Sequence, residues 1–133
     1  MTEYTKKASE PNRYSRKFSL REWIDDAKVS KNFDAFRVYV IEVWDDNERF
    51  IKIGRSFCTV KSRFTTKEGF PYQYKILYEV CGNPFHIFNL ETKLKREFKQ
   101  YRIQPLKQFI GSTECFSIEI IPLINIDLDV NSQ

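Results

Sequence analysis

Four residues of unlike chemistry, Tyr39, Lys52, Arg63 and Glu91, are spread along the middle of this 133-residue chain. Together they match what phosphodiester cleavage requires: something that helps deprotonate water, something that holds the phosphate, and a metal that stabilises the leaving oxygen. Tyr39 falls inside one strand-like run and Lys52 inside the next, so a hairpin would present a hydroxyl and an ammonium on neighbouring strands. Arg63 lies one turn into the helix after that hairpin. Glu91 precedes Leu94 by three residues and Phe98 by seven, which draws its carboxylate to the edge of a core. A carboxylate there needs a cation, either a metal or an arginine. Other catalytic sets are poorly supplied. The three cysteines, Cys58, Cys81 and Cys115, are widely spaced without a C-x-x-C pair, and His86 is the sole histidine, which argues against zinc. No nucleophile elbow accompanies His86.

The elements that must position these residues can be read from periodicity and punctuation. Residues 1–17 are polar and basic and read as a flexible arm. Ser19-Leu20-Arg21-Glu22 is a capping-box pattern, starting a helix that occupies residues 18–35, with Leu20, Trp23, Ile24 and Ala27 as the apolar stripe that docks it. Arg37 to Trp44 and Phe50 to Arg55 read as a hairpin around the turn Asp45-Asp46-Asn47-Glu48. Thr59 to Glu68 looks helical, stopped by Gly69 and Pro71. Tyr74 to Val80 is the next strand, and Phe85 to about Tyr101 a long helix with Ile87, Leu90, Glu91, Leu94 and Phe98 at helical spacing. Glu114 to Ile121 reads as a fourth strand and Leu123 to Val130 as a fifth. The expected architecture is α+β, a small and mainly antiparallel sheet flanked by helices, with an added N-terminal helix.

Composition agrees with a single soluble domain: 41% hydrophobic, 30% charged and 16% aromatic, with 12 Phe and 7 Tyr for a core. The cysteines, Phe98, Phe109 and Phe116 are expected in that core. No apolar stretch reaches membrane length and no apolar leader follows Met1, so a cytoplasmic protein without a membrane partner is expected. Net charge is only +4, but basic residues crowd Arg49 to Lys75 and Thr92 to Lys107, while the tail after Glu119 is acidic. Such asymmetry suits a polyanion, nucleic acid first, and equally suits solvated helix faces. Arg55, Lys61, Lys95 and Arg96 are the candidate substrate-binding cations within those two runs.

In order and spacing these pieces resemble the GIY-YIG nuclease superfamily, in its phage-encoded branch. Val38-Tyr39-Val40 is similar to the first signature, and Lys52-Ile53-Gly54-Arg55-Ser56 to the second in its K-I-G form. Val60-Lys61-Ser62-Arg63 resembles the arginine helix, and Leu90-Glu91-Thr92-Lys93-Leu94 through Phe98 the glutamate helix. Glu114-Cys115-Phe116 resembles the closing strand, with Cys115 in place of tryptophan. Arg37 stands where that family has glycine, Lys52 where many members have tyrosine, and Lys95 where this branch often has histidine.

The resemblance implies a catalytic domain over residues 36–121, with residues 122–133 as a C-terminal strand and tail. It implies Tyr39 as the general base or its support, and Glu91 as ligand to one Mg²⁺ (or Mn²⁺). Arg63 would hold the scissile phosphate, Lys52 would contact phosphate or tune the base, and Gly54 would allow close backbone approach. The implied activity is metal-dependent DNA endonuclease. The alternatives are a nucleic-acid-binding module without turnover, favoured by the changes at positions 37 and 52, and an interaction or inhibitor factor that pairs through an apolar C-terminal edge strand, which would also support a homodimer. Each residue has a plain structural reading as well: Tyr39 as a strand aromatic, Glu91 as the i,i+4 partner of Lys95, Arg63 as a solvated charge, Lys52 at the sheet edge.

Overall fold

The run Arg37-Val-Tyr-Val-Ile-Glu-Val-Trp44 is apolar on both faces and rich in β-branched residues, a composition that favours a central strand. In the computed structural model, which describes residues 16–64, 70–109 and 114–125, it is the centre of the sheet. The elements are α1 (Arg16–Val29), β1 (Arg37–Trp44), β2 (Arg49–Ser56), α2 (Val60–Arg63), β3 (Gln73–Cys81), α3 (Pro84–Glu97) and β4 (Cys115–Phe116), with 3-10 turns at Lys99–Tyr101 and Ile118–Leu123. The four strands lie in the order β3-β1-β2-β4, and every pairing is antiparallel. The α+β class with an N-terminal helix is as expected.

The chain divides into two compact units, Met1–Phe33 and Asp34–Gln133. In the first, α1 begins at Arg16, so Ser19 lies inside the helix instead of capping it. The second holds the whole sheet. Its hairpin turn is locked by Asp45, whose side chain accepts from the amides of Asn47 (2.8 Å) and Glu48 (3.0 Å), an Asx-type turn. β1 and β2 are in continuous register from Arg37 opposite Ser56 to Trp44 opposite Arg49. Alternation then puts Tyr39, Ile41, Val43, Phe50, Lys52 and Gly54 on one face. The buried cluster on that face adds Val60, Phe64, Tyr72 and Cys115, with Phe70, Tyr74, Ile103 and Phe109 packed against it. The other face carries α3, which lies against β1 and β2 and buries Ile87 and Leu94.

Several expected boundaries are corrected. The described part of the second helix is a single turn, capped by Thr59, whose hydroxyl accepts from Ser62 N at 3.1 Å. It ends where Phe64 turns into the aromatic cluster, edge-on to Tyr39 with centroids 5.5 Å apart. Residues 65–69 of that expected helix lie outside the described residues. The fourth strand is only Cys115–Phe116. Ser117 caps the next turn, its hydroxyl accepting from Glu119 N at 3.1 Å, and Ile118–Leu123 coils into a 3-10 helix around buried Ile120, with Pro122 offering no amide for a ladder. The expected fifth strand therefore does not begin at Leu123, and its remainder, residues 126–130, lies outside the described residues. Among the described residues, through 125, the edge strand from Ile118 on which a homodimer and an inhibitor role both rested does not form. Cys115 is buried as expected, but Cys58 is half-buried and Cys81 exposed. Phe98 and Phe116 are buried and Phe109 half-buried. No helix among the described residues is long and apolar enough to cross a membrane.

Arg37 and α3 set up the site. Arg37 is buried at the start of β1, its guanidinium bonded to Glu79 of β3 and to Asp34. That clasp gives the residue at the glycine position of the resemblance a structural role. α3 starts with Pro84 behind Asn83, whose side chain accepts from His86 N at 2.8 Å. Replacing this cap, Asn83→Ala, is expected to cost about 1 kcal/mol, read as a lowered urea midpoint that Asn83→Asp restores.

Candidate functional site

Tyr39 enters from the middle of the central strand and is completely buried. Its cross-strand partner is Gly54, and a Cβ there would fall 2.4 Å from the Tyr39 hydroxyl and 2.6 Å from Cζ. The glycine of the second motif is thus the floor under the phenol ring. On the same face Lys52, 0% exposed, carries its Nζ to 5.4 Å from the Tyr39 ring centroid and 5.9 Å from that of Phe64. It is an interior residue, which corrects the sheet-edge reading. From α2, Arg63 turns its Nε to the Tyr39 hydroxyl, donating at 3.3 Å, while the residue as a whole is exposed. The hydroxyl lies behind a residue that is itself exposed.

Glu91 is on the other side of the sheet. It sits in the middle of α3, 3% exposed, and its two oxygens go to Arg55 Nη1 at 2.5 Å and Lys95 Nζ at 2.7 Å. The expected i,i+4 pair with Lys95 is present, but on a buried carboxylate. Arg55, on the α3 face of β2, also packs its guanidinium 4.6 Å from the Phe88 ring centroid. The four predicted catalytic residues therefore fall into two groups, Tyr39–Lys52–Arg63 and Glu91 with Arg55 and Lys95.

The link between the groups is Glu114, to which no sequence pattern assigns a role beyond a place in the closing strand. It precedes the two-residue strand β4 at the edge of β2, where its carbonyl accepts from Ile53 N at 3.2 Å. From that edge one oxygen meets Lys52 Nζ at 3.0 Å and the other Lys95 Nζ at 2.7 Å. The outcome is an alternating chain of charge, Lys52–Glu114–Lys95–Glu91–Arg55, that passes around the sheet edge. The available sequence signal was a single acid following the basic run that ends at Lys107.

The electrostatics follow from these partners. Burial opposes charge on Lys52, but the fields of Tyr39 and Glu114 outweigh it and hold the amine above its ordinary value. Arg63 is likewise raised, burial being overcome by Tyr39. Burial pushes the Glu114 carboxyl up, yet Lys52 and Lys95 pull it down to about 2. Of the expected substrate-binding cations, Lys61 and Arg96 are exposed, whereas Arg55 and Lys95 are engaged with carboxylates.

A divalent metal on Glu91 does not fit this arrangement. Both carboxylate oxygens face side-chain cations, and a unit charge pair at 4 Å near a protein surface interacts by about 4 kcal/mol, a repulsion doubled for a divalent ion. Among the described residues no group of three or more His, Cys, Asp or Glu side chains is placed to hold a metal.

The profile of the T5orf172 domain matches residues 36–127, most of the chain and every residue of the two groups. The chain belongs to the T5orf172 domain family. This is a phage-associated, nuclease-like domain related to GIY-YIG- and HNH-type endonucleases. No curated protein and no solved structure gives a significant match. In T5orf172 terms the match begins at Phe36 and leaves α1 outside it.

Two outcomes test the geometry of this T5orf172 domain. Gly54→Ala drives a methyl into the Tyr39 ring and is expected to destabilise the fold by about 1–3 kcal/mol in urea denaturation. Because the folded Glu114 carboxyl is depressed, its contribution is complete above its ordinary 4.5 and disappears as pH falls toward about 2. Roughly 2 kcal/mol, allowing for its partial exposure, is expected to be lost across that window in wild type. A series of acid-limb melts should show Glu114→Gln flat over the same range.

Proposed function

We propose that this T5orf172 domain is a DNA endonuclease that hydrolyses phosphodiester bonds at the Tyr39–Arg63 pair. The observation that carries the reading is the bond from Arg63 Nε to the Tyr39 hydroxyl, with a buried Lys52 ammonium near the same ring. A phosphate approaching this face meets Arg63 first, since Tyr39 is enclosed and Arg63 is exposed. The guanidinium fork takes the non-bridging oxygens and neutralises the charge that builds on the pentacovalent phosphorus. Its movement onto phosphate uncovers the hydroxyl for a water molecule. Tyr39 Oη takes the water proton as general base, with the Arg63 and Lys52 charges beside it. Attack on phosphorus then breaks the bond to the 3′ oxygen, which leaves taking a proton from solvent, while Tyr39 passes the water proton back to solvent. Lys52 is too enclosed to touch DNA and acts through Tyr39. Lys61 and Arg96, both exposed, hold neighbouring phosphates in this reading. No step is routed through Mg²⁺ or Mn²⁺, because the Glu91 carboxylate is already saturated with cations.

A second reading, a DNA-binding module without turnover, is favoured by that same saturation. The two are separated by incubating the protein with supercoiled plasmid and labelled single- and double-stranded DNA in Mg²⁺, Mn²⁺ and EDTA. Nicking by wild type that falls about 100-fold or more in Tyr39→Phe, with DNA affinity within about threefold, is the expected result. Arg63→Ala should lose both cleavage and affinity, with a shallower salt dependence. DNA bound but intact in every lane would establish the binding module.

A further inference from the structure

The carboxylates of Glu91 and Glu114 present four oxygens, and all four are taken by three side-chain cations. Glu91 gives one oxygen to Arg55 at 2.5 Å and the other to Lys95 at 2.7 Å. Glu114 gives one to Lys52 at 3.0 Å and the other to the same Lys95 ammonium at 2.7 Å. Among the described residues, Lys95 Nζ is therefore the atom that bridges both carboxylates. A Mg²⁺ or Mn²⁺ ion takes carboxylate oxygens at about 2.0–2.2 Å, so an ion bridging Glu91 and Glu114 would need the volume that the ammonium fills.

We infer that Lys95 is the resident cation of the Glu91–Glu114 pair and closes to divalent metal a two-carboxylate site that is otherwise formed. The three cations differ in how firmly they are held. Lys52 is fully buried at 0% side-chain exposure and Arg55 is 19% exposed over the Phe88 ring, whereas Lys95 reaches the pair from solvent, 26% exposed, on a flexible stem. Arg55 and Lys52 each neutralise one outer oxygen, leaving the inner two oxygens converged on one point. Removing the ammonium leaves two like charges facing a gap at the sheet edge, an arrangement that a hard divalent cation with its remaining waters relieves. Lys95 thus decides, in this chain, between an internal and an external cation. The inference concerns cation occupancy and does not depend on whether the domain cuts DNA.

The test is Mn²⁺ binding without DNA, read by loss of the free-ion electron paramagnetic resonance signal and by thermal melts. Wild type and Lys95→Arg are expected to show no Mn²⁺ site sensitive to Glu91→Gln and no change in Tm with Mn²⁺. Lys95→Met is expected to bind one ion per chain with roughly tenfold or greater gain in affinity and to melt higher with Mn²⁺ than without. Adding Glu114→Gln to Lys95→Met should abolish that site. A folded Lys95→Met protein that takes up no Mn²⁺ overturns the inference. So does a wild-type site that Glu91→Gln removes, and this arm decides the matter alone if Lys95→Met does not fold.

Discussion

An ammonium group with no exposure to solvent, Lys52, lies between an aromatic face and a carboxylate, and much of this domain is arranged to make that tolerable. Desolvating such an ion costs several kcal/mol, recovered only where the partner is close and itself well held. Glu114 is that partner, and it is fixed by the pairing of β4 with β2 and by Lys95 from α3. The requirement propagates outward. Lys95 is steadied by Glu91, and Glu91 by Arg55, so a charge buried on the Tyr39 face is balanced by residues on the α3 face. Tyr39, Gly54 and Phe64 supply the enclosure, and the edge of the sheet is the passage by which this chain of pairs joins the two sides.

The regular elements were legible because their periodicities are strong. β1 and β2 carry enough apolar and β-branched residues to declare a hairpin, Asp45 to Glu48 declare its turn, and α3 declares itself by spacing and by Asn83-Pro84 at its start. The C-terminal segment was misread because Ile118-Glu-Ile-Ile alternates like a strand, while the 3-10 outcome depends on a serine cap and on Ile120 finding a tertiary pocket. Likewise the start of α1 lies ahead of the capping-box pattern at Ser19, a local signal that the observed helix passes through.

The site was half legible. Residue types and order pointed to Tyr39, Lys52, Arg63 and Glu91, and the hairpin register does bring Lys52 and Tyr39 onto one face. Which face Glu91 takes is set by how α3 lies on the sheet, information that spacing within α3 does not contain. The part Glu114 plays was not legible for the same reason: its motif gives it a place in the closing strand, but its importance comes from lying next to the β2 edge. Arg37 shows the converse case. A departure from a motif at one position is explained by partners 3 and 42 residues away, Asp34 and Glu79.

The brevity of β4 has a consequence for how the domain opens. A two-residue strand at a sheet edge ordinarily frays on its own, at little cost in free energy. Here, lifting it would carry Glu114 away from Lys52 and strand a positive charge in the interior, next to a ring and out of reach of water. Edge opening is thereby coupled to dismantling the core around Tyr39. The shortest ladder in the sheet is thus tied to the packing of its central strand, and the perimeter of this small fold is held from within.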